Sequence, residues 1–357
     1  MDASPEFRLV AECCRWAFTG GDGAAVSALC VRCDWPLTVR LARFHRVQGL
    51  VWKALASLDL RVPTDVQRAL SADAAAIAGD NLRCASECKL ILTAFDRAGL
   101  PLLFVKGVTL AKRVYGNIAS KSGVDIDILA DRQHLQQTSA LLQEHGYRLV
   151  HPATIGKLST WHDLRKESTW VSLDRQTQID LHTRLADNPT IIPTVGVASP
   201  RQEVEVAPGI RLPTLARDEL YAYLAVHGAS SAWFRLKWIT DFAAMIHDCA
   251  PEELERLHRR SQELGAGRAS GQALLLADAL YGTLRDAEAL KQSLERDGPT
   301  RRLLRTASRQ LAGKSEPAEP TERPFGTWAI HYSQLLLRPG PAFKLGEFVR
   351  QARAALA

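Results

Sequence analysis

Apolar residues recur at three- and four-residue spacing through the first hundred positions, which predicts a helical segment over residues 1–100. Turn signals fall at Gly20-Gly21-Asp22-Gly23 and near Pro63. The longest helical pattern starts at Pro63-Thr64-Asp65, where Asp or Thr is available as a cap, and runs to about Ala98 before Gly99-Leu100-Pro101 ends it. The texture then changes. Leu102-Leu103-Phe104-Val105 is a short apolar run suited to a buried strand, followed by Lys106-Gly107 and a helical stretch from Val108 to Tyr115. Val124 to Leu129 alternates apolar with acidic residues, and Asp131 to His145 reads as an amphipathic helix stopped by Gly146. Two more alternating segments lie near Ser168–Leu173 and Thr177–Leu185, and a Pro-rich, β-like passage runs from about Asn188 to Pro213. From Leu215 the pattern is helical again, except for a polar, Pro/Glu-rich loop near 312–323.

These elements predict an α+β chain in three parts: helical residues 1–100, a mixed-sheet core over 101–213, and a helical domain over 214–357. Composition does not disturb that picture. Hydrophobic residues make up 46% and charged residues 24%, which excludes a mainly disordered or fibrous protein. No apolar run reaches membrane-spanning length, and the N-terminus does not read as a signal peptide, so a cytoplasmic location without a membrane partner is expected. The seven cysteines are odd in number and scattered. Cys30-x-x-Cys33 has the spacing of half a zinc site but no matching pair downstream, so buried thiols are the expectation. Net charge of +6 favours anionic partners such as nucleotide phosphates, without any basic run that would point to nucleic acid.

The candidate chemistry starts at Val124-Asp125-Ile126-Asp127-Ile128. In a strand, Val124, Ile126 and Ile128 enter a core while Asp125 and Asp127 project together from the other face. Two adjacent carboxylates repel one another, and a divalent cation reverses the sign of that interaction. The alternative is a half-exposed strand with two solvated acids. Gln178-Ile179-Asp180-Leu181-His182 repeats the pattern, so an antiparallel or neighbouring strand would bring Asp180 beside the pair. Three carboxylates from two strands suit a two-metal phosphoryl-transfer site, whereas paired glycosidase carboxylates need a gap of about 5 Å or more. Lys106-Gly107, at a strand–helix junction, lets backbone N–H groups approach phosphate, although the P-loop spacing is absent.

Other residues carry two readings each. His182 either orients Asp180 or contacts substrate, or is structural. His227, Arg235 and Lys237 form a basic face that reaches a base or phosphate, or is simply solvated. Trp238, Asp241, Phe242 and Met245 make a core stripe in which Asp241 is a buried hydrogen-bonding partner. Tyr115 and Trp170 stack on a base or pack in the core, and His45 reads as structural.

The ordered set LLFVKGVTLAKRVY, KSGVDIDIL, LLQEHGY and QIDLH resembles the nucleotidyltransferase-fold family, relatives of DNA polymerase β and the aminoglycoside nucleotidyltransferases. It is most similar to a bacterial branch usually labelled only nucleotidyltransferase family protein. The likeness extends to Asp34–Leu55 and Leu224–Ile246, covering roughly residues 30 to 250. It implies that Asp125, Asp127 and Asp180 are catalytic metal ligands, with Asp180 also able to accept the acceptor's proton. It further implies two Mg²⁺ ions, with Mn²⁺ as a substitute, and an NTP such as ATP as co-substrate. Lys106, Gly107, Lys121, Ser122 and His182 are then the nucleotide-side residues. Two departures stand out: Lys121 replaces the family's Arg, losing a bidentate phosphate fork, and Val124 replaces the Gly before the first Asp. The expected reaction moves a nucleotidyl group to an acceptor, a small molecule, peptide or protein rather than nucleic acid. The alternative is a catalytically inactive nucleotide- or partner-binding module on the same fold.

Overall fold

A computed structural model describes residues 3–123, 125–312, 319 and 327–356. The expected packing of Val124, and nearly all of the polar loop expected near 312–323, lie outside the described residues.

The fold is α+β. Its sheet contains β1 (Leu102–Phe104), β2 (Ile126–Ala130), β3 (Arg148–His151), β4 (Glu167–Ser172) and β5 (Thr177–His182), in the order β1-β2-β5-β4-β3. Only β2 and β5 run parallel; the other neighbours are antiparallel. A separate hairpin, β6 (Arg201–Ala207) and β7 (Ile210–Leu215), lies within the β-like passage and packs against β1 and the long helix.

Helices flank the sheet on both sides in sequence. Four short ones open the chain, among them Trp35–Phe44 and Gln48–Ser57, and are followed by a 34-residue helix, Thr64–Arg97. Its N-cap is Pro63 with no side-chain cap, so neither Thr64 nor Asp65 serves in the expected way. Gly99, at φ +66°, ends it. Val108–Tyr115 is helical as its pattern predicts, bounded by Gly107 and Gly116. The expected helix from Asp131 begins instead as a 3₁₀ turn, Arg132–His134, and becomes α-helical over Leu135–Glu144. The chain from Arg217 onward is helical among the described residues, and none of these helices is long and apolar enough to cross a membrane.

Strand alternation divides the interior into two cores. Leu103, Val105 and Leu129 face a large apolar cluster built jointly by the N-terminal and C-terminal helices. Leu102, Phe104, Ile126, Ile128 and Ala130 face a second cluster with Trp170, Tyr147 and the later half of the long helix. Asp127 lies on the Leu129 face of β2, so it points toward the helices rather than into the second core.

Candidate metal centre and its cleft

The parallel pairing of β2 with β5 sets Asp127 directly beside Asp180, flanked by the pairs Ile126–Ile179 and Ile128–Leu181. Ile126, Ile128, Ile179 and Leu181 are all buried, which anchors both strands and fixes which face the acids occupy. Asp125 sits just ahead of β2 rather than within it. One carboxylate oxygen from each of Asp125, Asp127 and Asp180 lies within 4.8 Å of the others. Among the described residues this is the one such group of His, Cys, Asp or Glu side chains; the cysteines are free and contribute to none.

The electrostatics of this group are uneven. Asp180 is half-buried, and burial, together with the charges of Glu167, Asp125 and Asp127, pushes its carboxyl up to about 7. Thr169 Oγ1 and Gln178 Nε2 donate to its Oδ1 at 3.1 and 3.2 Å. Asp127 is the opposite case. Burial works against its charge, yet Lys106 and His182 hold its carboxyl far below the usual range. Lys106 Nζ lies 2.8 Å and His182 Nε2 3.0 Å from Asp127 Oδ1. Three hard oxygen donors, one of them with its pKa raised by burial and then by the charges of Glu167 and of the other two, fit a divalent cation, which would relieve the repulsion among them.

His182 does not orient Asp180. It is fully buried, and its Nε2 faces Asp127 and, at 3.2 Å, Glu167, which in turn pairs with Lys166. Strand alternation put His182 on the acidic face correctly; the parallel register sets it opposite Leu129, from where its ring reaches diagonally to Asp127.

The loop carrying Lys121 and Ser122 is clamped from two sides. Asn81, buried on the long helix, donates from Nδ2 to the carbonyls of Ile118 and Lys121 at 2.6 and 2.7 Å. Gly123 approaches Asn81 so closely that an added Cβ would lie 2.9 Å from its Oδ1. Gly49 packs on the same loop; a Cβ there would lie 2.5 Å from the Ser120 carbonyl oxygen. Lys121 Nζ reaches Asp241 at 3.5 Å, and Tyr115 donates its hydroxyl to Asp241 at 2.9 Å. Asp241 is therefore a buried partner, as its place in a core stripe suggested, and Tyr115 and Trp170 are both buried. Ser122 is buried and does not line the cleft.

That cleft, about 110 Å³ in volume, lies between the sheet and the helix Leu236–Ile246. Asp125 and Asp127 line one side. Lys106, Lys121, Lys237 and Arg46 bring positive charge to it and Asp241 a further carboxylate, with Gly107 and His227, whose burial holds the ring neutral, also in its lining. The solvated-face reading of His227, Arg235 and Lys237 does not hold. His227 and Lys237 line the cleft, and Arg235 is buried with its guanidinium over the Phe44 ring at 4.4 Å. Arg46 was missed altogether. The neighbouring His45 is structural, accepting at Nδ1 from the Leu236 N–H at 3.2 Å, but no periodicity marks Arg46 as reaching the carboxylates' side of the molecule.

A mixed sheet that gathers three carboxylates at a cation-lined cleft defines an α+β protein with a candidate divalent-metal centre. The chain belongs to the family described as uncharacterised nucleotidyltransferase, which matches residues 32–282, well over half its length. No curated protein matches it.

Proposed function

We propose that the protein transfers a nucleotidyl group from an NTP to an acceptor, releasing pyrophosphate, with Asp125, Asp127 and Asp180 holding Mg²⁺. The observation that carries this reading is the convergence of the three carboxylates, from two strands, beside a basic cleft in a chain of this family. Bound there, divalent cations supply charge neutralisation for the attacking oxygen and the departing pyrophosphate.

The protein's own residues do the positioning. Lys106 and His182 keep Asp127 ionised and fix its carboxylate on the cleft side. Lys121, pinned by Asp241, and Gly107 at the N-terminus of Val108–Tyr115 face the phosphates. Asp180 takes the proton from the acceptor hydroxyl as that oxygen attacks the α-phosphorus and the bond to pyrophosphate breaks.

The test is calorimetric titration with each of the four NTPs, with and without Mg²⁺, on the wild type and on an Asp125→Ala/Asp127→Ala variant. Metal-dependent binding of an NTP by the wild type, lost in the variant, is the expected result. A wild type that binds no NTP under either condition sinks the proposal.

A further inference from the structure

The N-terminal helices are joined to the cleft-lining helix Leu236–Ile246 around His45. His45 is buried, its ring nitrogen accepts from the Leu236 N–H, and its carbonyl accepts from the Lys237 N–H at 3.3 Å. Arg235 adds a hydrogen bond to the Phe44 carbonyl, one of the acceptors left open at the end of Trp35–Phe44. Residues 44–45 and 235–237 are thus sewn together by backbone and side-chain bonds.

Arg46 follows immediately, and its backbone is unusual. Its φ is +57°, in the left-handed region. The Val47 N–H returns to the Ala42 carbonyl at 2.9 Å and the Arg46 N–H to that of Arg43 at 3.0 Å, the bonding of a helix end that ordinarily takes glycine. An arginine here carries backbone strain that glycine would not. Strain of this kind persists at positions where the side chain is needed.

The guanidinium of Arg46 lines the cleft and has no hydrogen bond or ion pair among the described residues. Lys237, beside it, is in the same condition. Burial and the nearby charge of Lys121 push its ammonium down to about 7, only partly offset by Asp125 and Asp241. The other two lysines of the cleft are already paired, Lys106 with Asp127 and Lys121 with Asp241. Two basic side chains without an ion-pair partner among the described residues therefore face the cleft from the helical side.

We propose that Arg46 and Lys237 form an anion subsite that grips the polyphosphate tail of the nucleotide without help from metal. The inference rests on the nucleotide reading above and adds that the N-terminal helical segment is part of the binding site. The planar fork of arginine suits two phosphate oxygens at once, and Lys237 adds a point charge.

The probe is inorganic tripolyphosphate, titrated calorimetrically in EDTA, with thermal melts of every variant. Arg46→Gly is expected to melt no lower than the wild type, because it relieves the left-handed strain, and yet to bind tripolyphosphate at least fivefold more weakly. Lys237→Met is expected to show a similar loss, and Arg46→Lys a smaller one. Nucleotide-free Mn²⁺ binding should be unchanged in Arg46→Gly. Tripolyphosphate binding that Arg46→Gly leaves intact, or a wild type that binds none in EDTA, overturns the subsite. Failure of the nucleotide reading is separable: it appears as a wild type that binds tripolyphosphate but no NTP with Mg²⁺.

Discussion

Replacing Asp180 with Asn should make the metal-free protein more stable while removing its affinity for metal. The carboxyl of Asp180 is raised from 3.8 to about 7 in the fold. Between those values the folded state binds a proton that the unfolded chain does not, so stability rises as pH falls from 7 toward 4. Above pH 7 the ionised carboxylate costs the metal-free fold up to about 4 kcal/mol. Asparagine keeps an oxygen to accept from Thr169 and Gln178, and its amide can donate to Asp125, so the local hydrogen bonds survive. Allowing for the repulsion that remains between Asp125 and Asp127, about 2 kcal/mol should be recovered at pH 8, a rise in Tm on the order of 4 °C. The gain should shrink to nothing near pH 4. The assay is thermal unfolding of both proteins in EDTA from pH 4.5 to 8.5, repeated with Mn²⁺. With Mn²⁺ at a hundred times its Kd the wild type should gain about 2.7 kcal/mol, and the variant much less. An Asn variant that is less stable than the wild type at pH 8, or equally shifted at pH 5 and pH 8, refutes the repulsion argument and reduces Asp180 to a packing residue.

Two further outcomes follow from the same geometry. Gly49→Ala places a Cβ against the Ser120 carbonyl, so it should cost about 1–3 kcal/mol in denaturant unfolding and weaken NTP binding through the displaced Lys121 loop. His162 is fully buried between Thr183 and Ser168, and burial, then the charges of Arg132 and Arg184, push it down to about 3. The fold therefore loses about 1.4 kcal/mol per pH unit as pH falls from 6 to 4, because the unfolded histidine takes a proton that the folded one refuses. Asp180 imposes the opposite slope in that window, so the His162 effect should be read in the Asp180→Asn background, where replacing His162 with Gln flattens it.

Much of the sheet and its acids was legible because strand alternation is a strict rule. Ile126, Ile128, Ile179 and Leu181 could only be buried together if Asp127 and Asp180 shared the other face, and they are. What alternation cannot give is which strand lies beside which. The parallel neighbour relation of β2 and β5 is set by the intervening crossover; it pairs Asp127 with Asp180 and leaves His182 opposite Leu129, within diagonal reach of Asp127. Helical periodicity has a similar limit. It marks Trp238 and Phe242 as inward-facing but does not say whether Lys237, between them and solvent, meets water or a cleft. Arg46 was invisible for a different reason. Helix ends in the left-handed conformation are recognised by glycine, and here the position is taken by arginine.

The division of the interior explains why the cleft is where it is. The long helix Thr64–Arg97 contributes Val66 and Leu70 to the helical core, and Ala85, Cys88, Ile91 and Phe95 to the sheet core. Asn81 falls between these two sets, at the seam, and there it holds the carbonyls of the 118–121 loop. The carboxylates are mounted on the sheet, whereas Arg46 and Lys237 belong to elements whose apolar neighbours, including Val47, Leu236 and Ile239, are part of one helical core. The helix-borne wall of the cleft thus rests on the helical core, while the sheet-borne wall touches both cores, through Leu129 on one face and Ile126 and Ile128 on the other, and the Asn81 loop, tied also to Asp241 through Lys121, is a polar bridge between the walls. A buried amide whose Nδ2 donates to two backbone carbonyls is costly to remove without replacement. Its position at the seam, rather than deep in either core, lets it hold the loop that carries Lys121 against both the sheet side and the helical side.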